Sequence, residues 1–422
     1  MRKMIDSGVK WIGDIPQDWN IVRFKSKYRN IKEIAGEKSN EYERLALTLS
    51  GVIKRSKDDS EGLQPKEFDT YQILRENDFV FKMIDLQNIS TSRVGLSSYT
   101  GLVSPAYIRF TSRIENQDNR FVYYYLMSMY YNCVFNNLGG DGVRSALNAK
   151  DMGQFEIPYP SEDKQIHIAN ILDDKCGQVD ILISNQEQQI EKLKAYKQSL
   201  ITEVVTKGLN PNAPMKDSGV EWIGKIPEHW IVVKNNVIFS NFTDKGHGEA
   251  EVLSIYREFG VIPKSSRDDN HNVTSLDTDS YKYIETGDLV INKMKAWSGS
   301  LAISNYSGIV SPAYYTCKVN KNIVDLHYIH HYLRNRAIVG VYEMYSAGLR
   351  IGQWDLGIQD FLNIQIAIPA DLEEQKEIAE YLDLKCSQID KLIEIKQEKI
   401  EKLEQYKKSL IYEYVTGKKE AV

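Results

Sequence analysis

The amino-acid sequence predicts an α/β (α+β) chain. Two mixed α/β domains are joined by two long helices that pair as an antiparallel coiled coil with pseudo-twofold symmetry. Three observations carry this. DSGVKWIGDIPQDW at 6–19 returns as DSGVEWIGKIPEHW at 217–230, with ten of fourteen positions identical. EKLKAYKQSLITEVVT at 191–206 returns as EKLEQYKKSLIYEYVT at 401–416, with eleven of sixteen identical. Between these constant stretches, over about 20–155 and 231–365, the halves agree only at isolated anchors. A repeat of roughly 210 residues dictates the architecture and is far too long for a solenoid.

The elements follow in chain order. LALTLSGVI and VLSIYREFGVI read as strands entering loops, and DFVFKM and DLVINKM as strands launched from the turns REND and ETGD. Tyr71 and Asp78 pair with Tyr281 and Asp288, and GLVSPAY at 101–107 with GIVSPAY at 308–314. RFVYYYLMSMYYNCVF and LHYIHHYLRNRAIVGVY read as tyrosine-rich helices. Residues 162–182 and 372–392 carry apolar residues at helical spacing, and a longer helix follows each. Ile183, Ile190, Leu193, Leu200 and Val204 lie near a seven-residue repeat, matched by Ile393, Ile400, Leu403, Leu410 and Tyr414; Glu and Lys flank them as in a coiled-coil seam. TKGLNPNAPMKDSG at 206–219 breaks the first long helix. The expected domains are 1–160 and 211–371 for the two inserts, with helical regions at 161–210 and 372–422. If the last helix packs near the N-terminus, the repeated opening segment is the joint by which each insert enters the frame.

Bulk properties narrow the class. The chain has 422 residues, 26% charged and 42% hydrophobic, with a net charge of −5. That charge argues against coating nucleic acid through bulk electrostatics but permits a local basic face. No apolar run reaches the length of a membrane span, and MRKMIDSGVK lacks the apolar core of a signal peptide. Cys133, Cys176, Cys317 and Cys386 follow no zinc or disulfide spacing. A reduced, cytoplasmic protein is expected.

Catalytic chemistry finds little support. No phosphate-binding P-loop is present, and GGDGVRS lacks its lysine and context. SPAY at 104–107 and 311–314 is near the loop with which adenine methyltransferases grip an extruded base, but its third residue is Ala106 or Ala313. A strand ended by a proline turn is the preferred reading. PSEDK at 160–164 suggests a nuclease carboxylate cluster, yet Lys164 falls opposite Glu374 in the other copy, and acidic residues before a helix usually cap it. His327, His330 and His331 share a helix face that could hold zinc, but Arg120, Tyr123 and Tyr124 stand at the matching sites.

Basic and aromatic residues in loops remain. GVIKRSKDDS offers Lys54, Arg55 and Lys57; GVIPKSSRDDN offers Lys264 and Arg267; each carries neighbouring aspartates that could simply balance it. KMKAWSGS places Lys293, Lys295 and Trp297 on one turn, and its looser match supplies Lys82 and Arg93. Arg144 and Arg350 sit beside glycines in GVR and GLR. Lys and Arg neutralise phosphates, and Arg can reach guanine edges with two prongs. Their recurrence at matched positions favours DNA. A coiled-coil adaptor with two protein-binding heads also accounts for the repeat, but leaves these loops without a role. A self-sufficient nuclease or methyltransferase lacks its motifs.

KDSGVEWIGKIPEHW after GLNPNAPM, the paired VSPAY, and the EKLxxYKxSLIxExVT that closes each half resemble the specificity subunit of type I restriction–modification systems, HsdS. The resemblance covers essentially the whole chain. It implies a non-catalytic subunit with two variable target-recognition domains and two conserved helical regions. It implies double-stranded DNA and two methyltransferase subunits as partners, with two restriction subunits able to add. No cofactor is expected in this chain; S-adenosylmethionine belongs on the methyltransferase, ATP and Mg²⁺ on the restriction subunit. A helix over 180–206 is about 39 Å long, close to a B-DNA turn of about 34–36 Å. That geometry suggests an asymmetric bipartite target, with one adenine methylated in each half.

Overall fold

The repeated opening segment forms the same hairpin in both halves. Met4–Asp6 pairs antiparallel with Asp14–Pro16, and Met215–Asp217 with Lys225–Pro227. Its turn requires glycine: φ is 72° and 66° at Gly8 and Gly13, and 71° and 69° at Gly219 and Gly224, a left-handed region that most side chains avoid. The Gly8 and Gly219 amides donate to Asp6 and Asp217, both at 2.9 Å. The structure is a computed structural model and describes residues 2–59, 67–84, 86, 93–138, 146–267, 278–348 and 354–421.

Two compact units emerge: Met1–Gln186 with Glu398–Val422, and Glu187–Gln397. In the first, one sheet runs Gly51–Arg55, Arg44–Thr48, Gly101–Val103, Gln72–Leu74. Its other large sheet runs Tyr28–Asn30, Ile108–Ser112, Phe79–Lys82, Arg93–Leu96. The second unit repeats that order with Phe239–Phe242, Tyr314–Val319, Leu289–Asn292, Leu301–Ile303. Its Leu253–Tyr256/Gly260–Pro263 hairpin and Lys282–Ile284/Gly308–Val310 pair match parts of the remaining sheet. Each insert closes on itself: Asn20–Arg23 pairs with Glu156–Tyr159, and Trp230–Lys234 with Gln365–Pro369. The divergent middles therefore share one topology. Both SPAY segments are turns after a strand, with the Tyr107 and Tyr314 amides donating to the Ser104 and Ser311 carbonyls.

Four helical stretches differ from the sequence reading. The stretch 120–135 is Arg120–Tyr131 followed by Val134–Leu138, broken where Cys133 takes φ 55°. The stretch 326–342 is Leu326–Arg334 and Arg336–Tyr345, because the Asn335 side chain accepts from the Ala337 and Ile338 amides and caps the second piece. Conversely, the helices read separately around 182 and 392 are single ones, Glu162–Lys207 of 46 residues and Leu372–Val415 of 44. No proline interrupts either, and the glycine at 177 is tolerated.

Within each unit the long helices pack together. Leu172 and Cys176 share the first core with Leu410, Ile411 and Tyr414, and Lys407 Nζ lies 2.6 Å from Asp180. Leu200, Ile201 and Val204 share the second core with Ile378, Leu382, Cys386 and Ile389, and Lys197 Nζ lies 2.6 Å from Asp390. Lys396 meets Gln189 at 2.5 Å, so partner numbers fall as the chain rises and the pairing is antiparallel. Among the seam residues, Ile190, Leu200, Val204, Leu410 and Tyr414 are buried. Leu193 and Ile393 are half-buried against the second core, and Ile183, Ile400 and Leu403 are half-buried.

Each long helix ends on a left-handed glycine, Gly208 (φ 76°) or Gly417 (φ 67°). Trp230 lies over Gly208 and Trp19 over Gly417, where an added Cβ would come within 3.4 and 3.2 Å of the respective indole. Tyr412 and Lys418 also donate to the Ile12 carbonyl at 3.3 and 2.5 Å. The opening segment is thus a joint between insert and helix end in each unit. Trp230 Nε1 donates to Glu374 at 3.0 Å. Among the described residues Trp19 Nε1 finds no partner, because Lys164 occupies the equivalent place and pairs with Asp18 instead.

A second duplicated contact latches the insert. Asp173 accepts from Arg120 and, at 2.6 Å, from Tyr124; Asp383 instead meets His331 at 2.7 Å and His327 at 3.5 Å. Burial pushes the neighbouring His330 down to about 3, helped by the charges of Arg334, His331 and His327. Burial also lowers His331, outweighing Asp383. The unfolded chain binds a proton at such a histidine below about 6.5, the folded chain only near its depressed value. The contribution to stability is therefore complete above the unfolded value and lost as pH falls through the window beneath it. His330→Gln keeps an acceptor for Arg334 but does not titrate. Its melting temperature should fall less than the wild type's between pH 7 and 4; parallel pH profiles would contradict the assignment.

Candidate nucleic-acid interface

In the first unit the Arg44–Thr48/Gly51–Arg55 hairpin lies on the strand Arg93–Leu96. A Cβ at Gly95 would come within 2.6 Å of Leu47 and 2.9 Å of Val52, so only glycine admits the approach. The hairpin presents Lys54, Arg55 and Lys57 around a 460 Å³ cleft that Arg44 and Tyr42 also line. Lys54 pairs with Glu43 at 2.6 Å, and its ammonium sits 5.3 Å from the Tyr99 ring. Arg55 meets Asp59 at 2.9 Å. Lys57 donates to the Ser39 carbonyl at 2.8 Å and lies over Phe68. Lys82 and Arg93 face each other across the neighbouring strand pair.

The second unit repeats the device with other residues. Its hairpin lies on the strand Leu301–Ile303, where a Cβ at Gly260 would meet Ala302 at 3.2 Å. Lys264 opens a short 3₁₀ turn directly after the hairpin. The Arg267 guanidinium stacks 4.6 Å from the exposed Phe259 ring and 5.5 Å from Tyr256. Lys293 lies 3.5 Å from Asp355. Lys295 is exposed and carries no ion pair among the described residues. Trp297 donates to the Met294 carbonyl and packs edge-on against Trp354, with ring centroids 5.4 Å apart.

Arg144 and Arg350 fall outside the described residues. The structure adds Arg44, Tyr99, Phe259 and Trp354, which sequence reasoning missed. One signal was available for Trp354. Four of the six tryptophans, Trp11, Trp19, Trp222 and Trp230, belong to the repeated joint; the two unmatched ones are those that meet in the second insert. Among the described residues no group of His, Cys, Asp and Glu is placed to hold a metal ion. His327 and His331 are instead engaged with Asp383. No described helix is long and apolar enough to cross a membrane.

Two copies of one mixed α/β insert, each carrying basic hairpins and turns and each hung on paired long helices, define a class of duplicated recognition protein. The chain matches the type I restriction modification DNA specificity domain over residues 25–194 and again over 227–405. It belongs to that family, the specificity subunits of type I restriction–modification systems. It is similar to the putative type I restriction enzyme MjaX specificity subunit of Methanocaldococcus jannaschii, with 26% identity over 434 residues, 96% of this chain and 95% of that one. The MjaVIII specificity subunit of the same organism is 28% identical over 230 residues, 49% of this chain and 52% of that one. Among solved structures, a chain from work on complex assembly and conformational transition of the type I R-M system has a TM-score of 0.65 at 14% identity, covering 95% of this chain and 98% of that one. That likeness bears on the fold. The HsdS subunit from Thermoanaerobacter tengcongensis gives 0.48 at 14% identity, over 96% and 98%.

Lys54 and Arg267 offer a direct check. Each exposed cation that touches a DNA phosphate contributes about 0.9 to the slope of log affinity against log salt. The Lys54→Ala/Arg267→Ala variant should lower that slope by about 1–2 and weaken binding evenly across sequences. An unchanged slope in the assembled complex would remove these two residues from the interface.

Proposed function

We propose that this chain is the DNA-reading subunit of a type I restriction–modification complex, and that its two inserts read the two unlike halves of a bipartite target. One observation carries the reading: both halves build the same topology and lay a basic hairpin on the matching strand, yet its cations meet Glu43, Tyr99 and Phe68 in the first insert and Tyr256 and Phe259 in the second. A shared scaffold with unlike surfaces suits two readers of unlike sequence. The local carboxylates do not argue against DNA. Exposed pairs such as Lys54–Glu43 are weakened by solvent screening, so phosphates can displace them at little cost.

Two methyltransferase subunits would dock on the duplicated helical regions, since only repeated surfaces can receive two copies of one partner, and two restriction subunits can add. The subunit itself does no chemistry in this reading. S-adenosylmethionine would be bound by the methyltransferase subunits, ATP and Mg²⁺ by the restriction subunits. The proposed boundaries are 1–160 and 211–371 for the recognition domains, with 161–210 and 372–422 as docking regions. A cytoplasmic location fits the four free cysteines.

The test replaces residues 231–365 with the corresponding insert of another specificity subunit and maps methylated adenines in cells that also carry the methyltransferase. One half of a split motif should change while the other half and its methylated adenine persist. A change in both halves, or a contiguous motif, contradicts independent readers.

A further inference from the structure

The second unit contains a cleft of about 900 Å³ whose charge the DNA-reading loops do not explain. Lys194, Lys197, Arg257, Arg334 and Arg336 line it, against only Glu258 and Asp390. Lys197 already engages Asp390. Among the described residues the largely enclosed Arg334 has only neutral partners: His330 Nε2 at 3.2 Å and the carbonyls of Arg257 and Glu258. Burial accordingly lowers its pKa, with no carboxylate to oppose it. The side chains of Arg257 and Arg336 are exposed and make no hydrogen bond or ion pair among the described residues. Three guanidinium groups and two ammonium groups line one space against two carboxylates, one of them already paired with Lys197, and this excess of positive charge favours an anion entering it.

Among the described residues the first half has no counterpart. At the shift of 207 that aligns the SPAY segments, His330, Arg334 and Arg336 correspond to Tyr123, Met127 and Met129. A surface shared by two identical partners would be duplicated, and this one is not. Guanidinium forks match phosphate oxygens in pairs, and several together discriminate phosphate from carboxylate by charge.

We infer that this cleft binds a phosphate group. Two sources share that chemistry. Ser298 and Gly299, from the turn that carries Lys295 and Trp297, form part of the wall. A backbone phosphate of DNA held by the second unit is therefore within the site's reach; a free polyphosphate or nucleotide is the other source.

Calorimetry of the full chain with inorganic tripolyphosphate, and with duplex DNA across a salt series, tests the assignment. Arg257→Ala/Arg336→Ala removes two exposed side chains without emptying the core. For a free ligand, tripolyphosphate binds once per chain and the double variant weakens it by about tenfold or more. For a backbone phosphate, tripolyphosphate does not distinguish the two proteins, while the salt slope for duplex binding falls by about 1–2 in the variant. Equal tripolyphosphate binding together with an equal salt slope overturns the inference. Failure of the wild type to bind any duplex counts against the DNA-reading function instead, and leaves the tripolyphosphate comparison to decide the cleft.

Discussion

An apolar seam between two antiparallel helices is the constraint on which the rest of each unit depends. The ion pairs along it, Lys407–Asp180 and Lys197–Asp390, are partly exposed and contribute about 0–1 kcal/mol each. Burying Leu200, Leu410, Ile378 or Ile411 contributes about 1.5–3 kcal/mol apiece, so packing outweighs charge. The seam also supplies the surface to which each insert is fastened. The hairpin tryptophan closes over the helix-ending glycine, and the first insert helix is latched through Asp173 or Asp383. Because these fasteners are duplicated, each insert is held at matching places on the helices, through different polar partners in the two halves.

Inside the inserts, conserved backbone roles coexist with changing side-chain partners. Asp78 accepts from the Arg75 amide, and Asp288 from the Glu285 amide, at 3.0 and 2.8 Å. Each aspartate thereby closes the turn that launches a central strand. The cation it pairs with is not conserved in kind or exposure: Arg109 meets Asp78 at 2.6 Å in full burial, whereas Lys318 meets Asp288 at 3.0 Å from a half-exposed position. Removing Asp78 alone would leave the buried Arg109 guanidinium with the Ile73 carbonyl and the more exposed Glu33 carboxylate at 3.2 Å. The turn geometry is therefore kept while the surrounding surface is free to diverge.

Much of this was legible in the sequence because duplication amplifies weak signals. A Gly-Trp pattern or an EKL run says little once; repeated in register it marks the joints and the seam. The pairing of Tyr71 with Tyr281 and Asp78 with Asp288 already located the strands. Helix boundaries were less legible. Asn335 is a favoured cap but is tolerated inside a helix, so a run of helical residues around it does not mark the break, and nothing in the sequence at 182 marks an end to Glu162–Lys207. The candidate site was legible as hairpins but not as a surface. Arg44, Tyr99 and Phe259 join the basic loops only through strand pairing and ring stacking, which no local pattern encodes. Trp354 needed only a tally of tryptophans left over once the repeat was removed.

The central claim is that the joint between insert and helix end is equivalent in the two halves, so chain order within the frame is immaterial. A circular permutant tests this most directly: the C-terminus linked to the N-terminus, with the chain reopened in the Pro-rich segment near Pro211. Methylome sequencing of cells carrying the permutant and its methyltransferase should return the wild-type target with the same spacing. A permutant that accumulates as folded protein yet methylates a different target, or keeps only one half of it, would contradict the claim.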